Sequence, residues 1–355
     1  MTSKLKFAPH FFFCYGFTMK QATKGKIRVA VLCGGISSER EVSLQTGHQV
    51  ASALPTDRYV VSVVSIDVEE RWLIESDAPF LKEKREIDAL SLSKIADVVF
   101  IALHGRFGED GTVQAILEKA NIPYTGSGVA ASVLGMDKAK CSEAVSGVSV
   151  PVPKFFLAQK KDGTSLISKK IEDSFGFPCI VKPNASGSSV GVSIVRDARD
   201  VSLALEKAWR EDEVAMIQRY IPGREFSCGV MGNTGQTSIE ALPVIEITPK
   251  SSEFFDYGAK YTPNASEETC PAVLSEEITA SIKKFSVLAH MTLGCDGLTR
   301  SDFRLDPEGS IFFLEINTIP GQTETSLCPK EAAAAGMTFP EFLEKQVVLA
   351  LSKRQ

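Results

Sequence analysis

The segment GLTRSDFRLDPEGSIFFLEINTIPG (residues 297–321) predicts a β-hairpin that decides how the rest of the chain is interpreted. Two apolar runs flank the turn-forming tetrapeptide PEGS (307–310), and a four-residue loop sets the register of the strands. In that register Asp306 faces Ile311, Asp302 faces Glu315, and Arg300 faces Asn317. Side chains alternate along a strand, and opposed residues share a face. One face is therefore predicted to be core (Phe303, Leu305, Phe312 and Leu314), and the other polar (Arg300, Asp302, Glu315 and Asn317).

The polar face of this hairpin predicts a magnesium site. Two carboxylates that face each other, here Asp302 and Glu315, repel unless a cation lies between them. Oxygen ligands on a rigid sheet suit Mg²⁺, which keeps its other coordination positions for water and phosphate. A solvated outer face is the alternative for the hairpin alone. A β-bulge would shift the register by one residue and break the match.

The whole chain is that of an ordinary globular protein with two or three domains. It has 355 residues, of which 44% are hydrophobic and 23% charged. A net charge of -5 without a long basic run argues against nucleic-acid binding. The eight cysteines are scattered without a C-x-x-C pair, which favours a reducing cytosol over a disulfide framework.

The first residues, MTSKLKFAPHFFFCYGF, loosely resemble a signal peptide, but Pro9 and His10 interrupt the apolar run and no cleavage site follows. Export is therefore not expected, and residues 1–26 are interpreted as an extension that is disordered or results from a wrong start, with Met19 as an alternative first residue. No later run approaches the length of a membrane span, so membrane insertion is not expected.

Strand and helix signals alternate through residues 27–126, which predicts an N-terminal α/β domain with a doubly wound parallel sheet. The predicted strands are IRVAVLCGG, YVVSVVSID and ADVVFIALHG, and REVSLQTGHQVASAL is a helix between the first two. Ligands of such sheets collect at the carboxyl ends of the strands. Glu39 and His104 both lie at such ends.

The remainder has the pattern of an α+β region in two parts, residues 127–217 and 218–355. FPCIVKPNASGSSVGVSIV predicts a hairpin with a small-residue loop, and AMIQRYIPGREFSCGVM predicts strand, turn and strand. Residues 247–272 are long, polar and without periodicity, which is typical of a lid loop. TFPEFLEKQVVLALSKR predicts a closing amphipathic helix.

Two glycine-containing stretches are candidates for a phosphate-binding loop, and no G-x-x-x-x-G-K-[ST] sequence is present. GSGVAA (126–131) fits the dinucleotide fingerprint, but no good strand precedes it, so it is interpreted as a chance match. VKPNASGSSVG is the better candidate, because amides freed by Gly187 and its small neighbours can close over a phosphate. Lys182 on its leading strand and Lys138 in GMDKAK can reach phosphate oxygens. The combination suggests a nucleotide held with magnesium.

The order of these motifs resembles that of D-alanine–D-alanine ligases of the ATP-grasp group. LCGGISSEREVSL, IALHGRFGEDGTVQ, YTGSGVAAS, MDK, VKPNASGSSVG, FDYGAKY, RSDF and LEINTIPG carry the resemblance, which runs from about Ile27 to the C-terminus. It implies an N-terminal substrate-binding domain followed by a two-part ATP-grasp domain, with a central and a C-terminal subdomain. It implies ATP and D-alanine as substrates, two Mg²⁺ or Mn²⁺ ions, a homodimer and a cytoplasmic location.

The resemblance also implies a role for individual residues. Metal ligands are Asp302, Glu315 and Asn317. Nucleotide contacts come from Lys138, Lys182, Ser188, Ser189, Gln218, Arg219, Ile221, Glu225 (ribose) and Lys260. Glu39 binds the first substrate's ammonium group, bordered by His104, and Ser188 and Tyr261 tie Glu39 to the lid. Arg300 and the Gly321 amide form an oxyanion hole, while Ser326 and the Leu327 amide bind the second substrate's carboxylate.

One departure and several alternatives stay open at this level. Gln218-Arg219 replaces the Glu-Lys pair common at the adenine hinge, which predicts weaker nucleotide binding without changing the reaction. D-Lactate or D-serine could replace the second D-alanine, although Lys260-Tyr261 favours D-alanine. A dinucleotide-dependent reductase leaves the hairpin unexplained, and a non-catalytic ATP-binding module leaves Arg300 and the metal ligands unexplained.

Overall fold

Three β-sheets with their own helices form the described part of this computed structural model, which comprises residues 25–75, 84–187, 189–250 and 265–353. The strands are β1 (Ile27–Gly34), β2 (Tyr59–Ile66), β3 (Trp72–Glu75), β4 (Lys84–Ile87), β5 (Val98–Ile101), β6 (Phe155–Gln159), β7 (Cys179–Pro183), β8 (Ser193–Val195), β9 (Val214–Arg219), β10 (Arg224–Asn233), β11 (Glu240–Ala241), β12 (Ile245–Pro249), β13 (Ser266–Thr269), β14 (Asp296–Leu305) and β15 (Ile311–Asn317). The helices are α1 (Arg40–Ala53), α2 (Leu92–Ile95), α3 (Thr112–Lys119), α4 (Val129–Met136), α5 (Lys138–Ser146), α6 (Thr164–Ser174), α7 (Val201–Glu211), α8 (Glu276–Thr292), α9 (Leu327–Ala334) and α10 (Phe339–Leu351).

The first sheet has the strand order β4-β3-β2-β1-β5, and its centre is parallel, as the alternating pattern predicts. Helices α1 and α10 pack on one face of this sheet, and α2 and α3 on the other, so it is doubly wound. An antiparallel pair, β3 and β4, extends it beyond the predicted strands. These edge strands have four residues each, and β4 is largely exposed, so their sequences lack a clear apolar period.

The second sheet, β6-β9-β7-β8, is antiparallel, and α6 and α7 pack on it. The predicted hairpin in this region is present, because Cys179 pairs with Val195 and Val181 with Ser193. The small-residue loop of 184–192 joins these strands. The strand–turn–strand prediction for β9 and β10 also holds, but the two strands enter different sheets. The turn between them therefore crosses from the second sheet to the third.

The third sheet has the strand order β13-β12-β10-β14-β15, with β11 beside β10. Its strands β14 and β15 form the hairpin predicted for residues 297–321. Asp302 lies opposite Glu315 and Arg300 opposite Asn317, as predicted, but Leu305 and not Asp306 lies opposite Ile311. The loop is thus one residue longer than predicted and begins at Asp306. The Asp306 side chain accepts a hydrogen bond from the Ser310 amide (2.7 Å) and so forms the turn. A bulge between Asp302 and Phe303 restores the register at the polar end.

The bulge also changes which residues of β15 are core. Phe313 is fully buried and contacts Phe303 edge-on, with ring centroids 5.8 Å apart, and Ile311 is buried beside Leu305. Phe312 and Leu314 were predicted to be core and are only partly buried. That prediction was wrong, because it assumed uninterrupted alternation from the turn to Glu315.

Two further segments differ from or refine the sequence interpretation. The ends of the predicted lid, 247–272, are strands, because β12 pairs with β13 and Thr248 faces Glu267.

GSGVAA is a packing motif: a Cβ on Gly297 would lie 2.9 Å from the Gly126 amide nitrogen, so both glycines allow close backbone contact. Helices α4 and α5 pack in the core of the third sheet. The domain boundaries themselves stay predictions.

Candidate active site

A cleft lies between the second and third sheets, with the loop after β7 at one side. Ten of the residues assigned from the resemblance line it: Lys138, Lys182, Ser189, Gln218, Arg219, Ile221, Glu225, Asp302, Glu315 and Asn317. The structure thus brings together side chains separated by up to 179 positions, from Lys138 to Asn317. No single local motif could show that they share a surface.

Lys138 and Lys182 converge on Glu315 inside the cleft. Lys138 starts α5, whose first turn is held against the β7 loop because Asn184 accepts from the amide of Ala139 (3.0 Å). The Lys138 ammonium donates to the Ser186 carbonyl (2.8 Å) and lies 3.2 Å from the Glu315 carboxylate. Burial lowers the pKa of Lys182 to about 8, although Glu315 partly opposes that shift. Both lysines are therefore placed to meet an anion.

Asp302 accepts four hydrogen bonds from neighbouring side chains. Arg300 donates to its two oxygens through Nε and Nη2 (2.8 Å each), the Ser227 hydroxyl donates to one, and Asn317 Nδ2 donates to the other (3.2 Å). These bonds occupy the four lone-pair directions of a carboxylate. A cation would therefore bind Asp302 by replacing at least one of them.

The donor set here suits a hard divalent cation that shares its coordination with a substrate. In the part of the chain that the structure describes, no group of three or more His, Cys, Asp and Glu side chains is placed to hold a metal. Asp302, Glu315 and Asn317 instead offer two carboxylates and an amide. Mg²⁺ is commonly held by one or two carboxylates together with phosphate oxygens and water. The residues present fit such an ion.

The far end of the cleft carries an unsatisfied hydrogen-bond donor. Gln218 on β9 is 2% exposed, and its Nε2 has no hydrogen-bond partner among the described residues. A buried donor without a partner is costly, so a ligand that accepts from it gains affinity. This observation fits a nucleobase at the predicted hinge, where Arg219 and Ile221 also line the cleft.

Arg304 is a cleft residue that sequence reasoning missed. It lies opposite the predicted ribose-binding residue Glu225, in the pairing of β14 with β10. Its Nη1 donates to the Gly223 carbonyl (3.2 Å) and to Glu225 (3.4 Å), and its guanidinium carbon lies 5.8 Å from the ring centroid of Tyr220. Its position two residues after Asp302 on the same strand was the available signal.

Glu39, His104 and Glu109 form a second group where the first sheet meets the cleft. Glu39 is 7% exposed, and a Cβ built on Gly187 would lie 3.5 Å from Glu39 Oε2, so the β7–β8 loop reaches this carboxylate. Burial lowers the pKa of His104, which is neutral at pH 7. Its Nε2 is placed to donate to Thr46 (3.1 Å), because the Thr46 hydroxyl already donates to Val42.

Glu109, in the segment IALHGRFGEDGTVQ, is a cleft residue whose importance the sequence did not predict. Burial, and then the nearby charge of Glu39, raise its pKa to about 8. It lines the cleft and accepts from the Gly105 amide (3.1 Å). A buried carboxyl group with a raised pKa at the wall of a cleft is typical of functional sites. The Glu39 end of the site can thus hold a cationic group.

Gly321 and Ser326 lie in the segment between β15 and α9, and Leu327 is the first residue of α9. A Cβ on Gly321 would lie 2.9 Å from Ser326 Oγ, and that hydroxyl also contacts Thr323 Oγ1 (2.7 Å). Ser326 precedes α9, and Leu327 is buried against Ile245 and Ile247 of β12. The 321–326 turn is therefore held in a fixed shape. Ser188, Lys260 and Tyr261 lie outside the described residues.

Comparisons with known proteins match nearly the whole chain. The family model described as "D-ala D-ala ligase N-terminus" matches residues 28–127, and "D-ala D-ala ligase C-terminus" matches 144–348. A D-alanine–D-alanine ligase of Pelotomaculum thermopropionicum is 42% identical, over 92% of this chain and 97% of its own length. One of Syntrophobacter fumaroxidans is also 42% identical, over 92% and 98%.

Solved structures agree with these matches. The VanG D-Ala:D-Ser ligase from Enterococcus faecalis superposes with a TM-score of 0.81 at 31% identity, covering 92% of this chain and all of that one. A D-alanine–D-alanine ligase from Coxiella burnetii gives 0.78 at 28% identity, over 92% and 94%. The Bacillus anthracis D-alanine–D-alanine ligase complexed with ATP gives 0.74 at 29% identity, over 92% and 97%.

Proposed function

The chain belongs to the D-alanine–D-alanine ligase family, and on that premise we propose that its cleft binds ATP and joins two D-alanine molecules. The protein is an ATP-dependent ligase that forms D-alanyl-D-alanine for peptidoglycan synthesis. ATP transfers its γ-phosphoryl group to the carboxylate of the first D-alanine and leaves as ADP. The amine of the second then attacks the acyl phosphate, loses a proton and displaces phosphate, which forms the amide bond.

The placement of ATP is supported by the ammonium groups of Lys138 and Lys182, which lie near Glu315 beneath the β7–β8 loop. Phosphoryl transfer depends mainly on positioning and on charge stabilisation, which the buried Lys182 and the partly buried Lys138 ammonium groups supply. The unsatisfied Gln218 amide supports the adenine end, with Arg219, Ile221 and Glu225 completing the nucleotide contacts. Ser188, Ser189 and Lys260 are assigned to ATP from the family resemblance.

Asp302, Glu315 and Asn317 would hold two Mg²⁺ or Mn²⁺ ions in this proposal. Such ions, when bound, neutralise phosphate charge. Arg300 orients Asp302 through its two-pronged contact and, with the Gly321 amide, stabilises negative charge on the reacting carboxyl oxygen.

The two D-alanine molecules are assigned to opposite sides of Arg300. Glu39 binds the ammonium group of the first, and neutral His104 borders it without adding a like charge. Ser326 and the Leu327 amide bind the carboxylate of the second. Tyr261 and Ser188, assigned from the resemblance, connect the lid to Glu39.

A direct test is to incubate the purified full chain with ATP, Mg²⁺ and D-alanine and to quantify ADP and dipeptide. ADP release should require D-alanine and should not occur with L-alanine alone, because Glu39 holds the ammonium group and Arg300 with the ions holds the carboxylate, which leaves space for the methyl group of only one enantiomer. D-Lactate and D-serine as second substrates, and NADPH as an alternative co-substrate, serve as comparison arms. Consumption of NADPH, or ADP release without dipeptide, would contradict the proposal.

We also propose that the enzyme is a cytoplasmic homodimer, as the family resemblance implies. Within the described residues, no helix is both long and apolar enough to cross a bilayer. Light scattering coupled to size exclusion measures the oligomer, and fractionation of cells that produce the protein measures its location. A monomeric mass or recovery with the membranes would contradict the respective proposal.

A further inference from the structure

Glu331 is a buried carboxylic acid next to Arg300 that no assigned role explains. It lies on α9 and is fully buried. Its Oε2 accepts a hydrogen bond from the Gly229 amide (2.8 Å), while its Oε1 has no hydrogen-bond partner among the described residues. Burying an acid with an unsatisfied oxygen is costly, so such groups usually have a specific role.

Glu331 occupies a space that β10 leaves open on the site face of the third sheet. Opposed residues of neighbouring strands share a face. Three residues of β10 lie opposite site residues of β14: Glu225 opposite Arg304, Ser227 opposite Asp302, and Gly229 opposite Arg300. Of these three β10 residues, only Gly229 has no side chain, so the open space lies beside Arg300. A Cβ on Gly229 would lie 2.5 Å from Glu331 Oε2, 2.9 Å from Leu242 Cδ1 and 3.3 Å from Cys328 Sγ.

This contact connects the two substrate positions. Ser326 and Leu327 lie at the start of α9, and Glu331 follows one turn later on the same helix. Arg300 lies on β14, directly across from the strand residue that Glu331 contacts. Burial raises the pKa of Glu331 to about 8, so the side chain is held mainly as the neutral acid at pH 7 and adds little charge near Arg300.

We propose that Glu331 is a positioning residue: by filling the gap at Gly229, it sets the distance between the acceptor-binding start of α9 and Arg300. The inference rests on the proposed function, since it assigns the acceptor carboxylate to Ser326 and Leu327. Glu331 itself does not contact the substrates. A small shift of α9 would misplace the attacking amine while leaving the ATP cleft and the Glu39 pocket unchanged.

The test is steady-state kinetics over a D-alanine range wide enough to resolve donor KM from acceptor KM. Glu331→Ala should raise the acceptor KM or lower kcat, by about tenfold to a hundredfold in total. The KM values for ATP and for the donor should stay within about twofold of the wild type. Glu331→Gln keeps an oxygen that accepts from the Gly229 amide and should restore most of the acceptor KM. Glu344→Ala, which removes a buried glutamate from the neighbouring helix α10, is the matched control.

A double-mutant cycle with Gly229 separates positioning from a general loss of stability. Gly229→Ala should damage the wild type, because the new methyl group collides with Glu331. In the Glu331→Ala background the collision with the carboxylate is gone and only the end of the flexible Leu242 side chain has to shift, so the second substitution should cost less than it does in the wild type. If Glu331→Ala does not fold, Glu331→Asp takes its place, with a shorter reach and an intermediate acceptor KM.

Equal losses in all three KM values, unchanged kinetics in Glu331→Ala, or a Gly229→Ala defect of the same size in both backgrounds would each overturn the inference. Absence of D-alanine-dependent ADP release in the wild type would instead contradict the proposed function. The two failures are therefore distinguishable.

Discussion

Asp302 lies directly opposite Glu315, even though a β-bulge between Asp302 and Phe303 interrupts the pairing of β14 and β15. The extra residue of the turn and the extra residue of the bulge compensate, so the two carboxylates share one face beside Lys138. Two acids in this arrangement repel unless a cation compensates them, and in the protein alone Arg300 and Lys138 supply the positive charge.

The first prediction concerns Glu315, whose carboxylate contacts Lys138 and would hold a metal ion. Glu315→Gln keeps the size of the side chain but removes its charge. Turnover should fall by at least about a hundredfold, as is typical when a group that stabilises transition-state charge is removed. ADP release at fixed Mg²⁺ measures the effect, and thermal unfolding should be little changed. Glu308→Gln in the exposed turn of the same hairpin is the control; equal activity of the two variants would contradict the assignment.

The second prediction concerns Glu39 as the partner of the donor's ammonium group. Glu39→Gln should raise the donor KM by about tenfold or more, since a hydrogen bond to a charged group contributes about 1.5–3 kcal/mol. The KM for ATP should not change. Glu41→Gln, at an exposed position two residues further along α1, is the control. If donor binding is the same in both variants, Glu39 does not hold the ammonium group.

The third prediction concerns Arg304 at the ribose end of the cleft. Arg304→Met removes the group that donates to the Gly223 carbonyl and to the Glu225 carboxylate. The KM for ATP should rise by about fivefold to tenfold, which corresponds to about 1 kcal/mol, while both D-alanine KM values stay constant. Arg224→Met, which removes an exposed arginine from the adjacent strand, is the control. A selective effect on D-alanine would argue against a nucleotide role.

The fourth prediction concerns the sensitivity to acid that the buried His290 confers on the fold. Burial lowers its pKa to about 4 from 6.5, and its Nδ1 is hydrogen-bonded to Thr299 (2.8 Å). A depressed folded-state pKa means that its stabilisation is fully present above pH 6.5 and is lost as the pH falls towards 4. Between pH 7.5 and pH 5 this group alone should cost about 2 kcal/mol of the free energy of unfolding.

Urea unfolding of His290→Gln at both pH values checks this contribution. The variant should be less stable at pH 7.5 but should lose less on acidification than the wild type. His48→Gln, on the exposed surface of α1, should retain the wild-type dependence. Parallel pH curves for the wild type and His290→Gln would show that another group governs acid sensitivity.

The fifth prediction concerns the close contact of Gly126 and Gly297. Gly297→Ala would place a methyl group 2.9 Å from the Gly126 nitrogen at a φ of +69°, so strain and overpacking combine. The free energy of unfolding should fall by about 3 kcal/mol or more. Gly294→Ala, at a φ of +67° with open space around the new methyl group, isolates the backbone strain alone and should lose less. Equal losses would mean that the contact adapts without cost.

Much of the fold could be predicted because its elements have strong local periods. The buried parallel strands β1, β2 and β5, helix α1, the β7–β8 hairpin and helix α10 lie where the sequence predicts them. The edge strands β3 and β4 could not be predicted, since edge pairing depends on a neighbouring strand's free hydrogen-bonding groups more than on side-chain pattern. The predicted core positions Phe312 and Leu314 were wrong because a bulge is a tertiary feature with no apolar signature here.

Some residues of the candidate site could likewise be predicted from the sequence, and others could not. Asp302, Glu315, Lys138 and Lys182 could be selected because charged residues inside apolar strands or beside glycine loops are unusual. Arg304 was missed although its position on the Asp302 strand was a signal, whereas Glu109 and Glu331 could not be selected, because an isolated charge in a loop or helix is usually solvated. Their importance comes from burial and from neighbours far away in the chain, such as Gly229 beside Glu331, which lies 102 positions later.

The sequence by itself determined the types and order of the elements, the pairing of Asp302 with Glu315 and the family to which the chain belongs. These depend on local periodicity, on turn chemistry and on motif order, which are properties of short segments. Only the tertiary structure decided that the turn and the bulge compensate, that Gln218 buries an unsatisfied donor, and that Glu331 fills the gap opposite Arg300. Each of these depends on burial and on contact distances between remote segments, because close packing, unlike periodicity, is a property of the assembled chain.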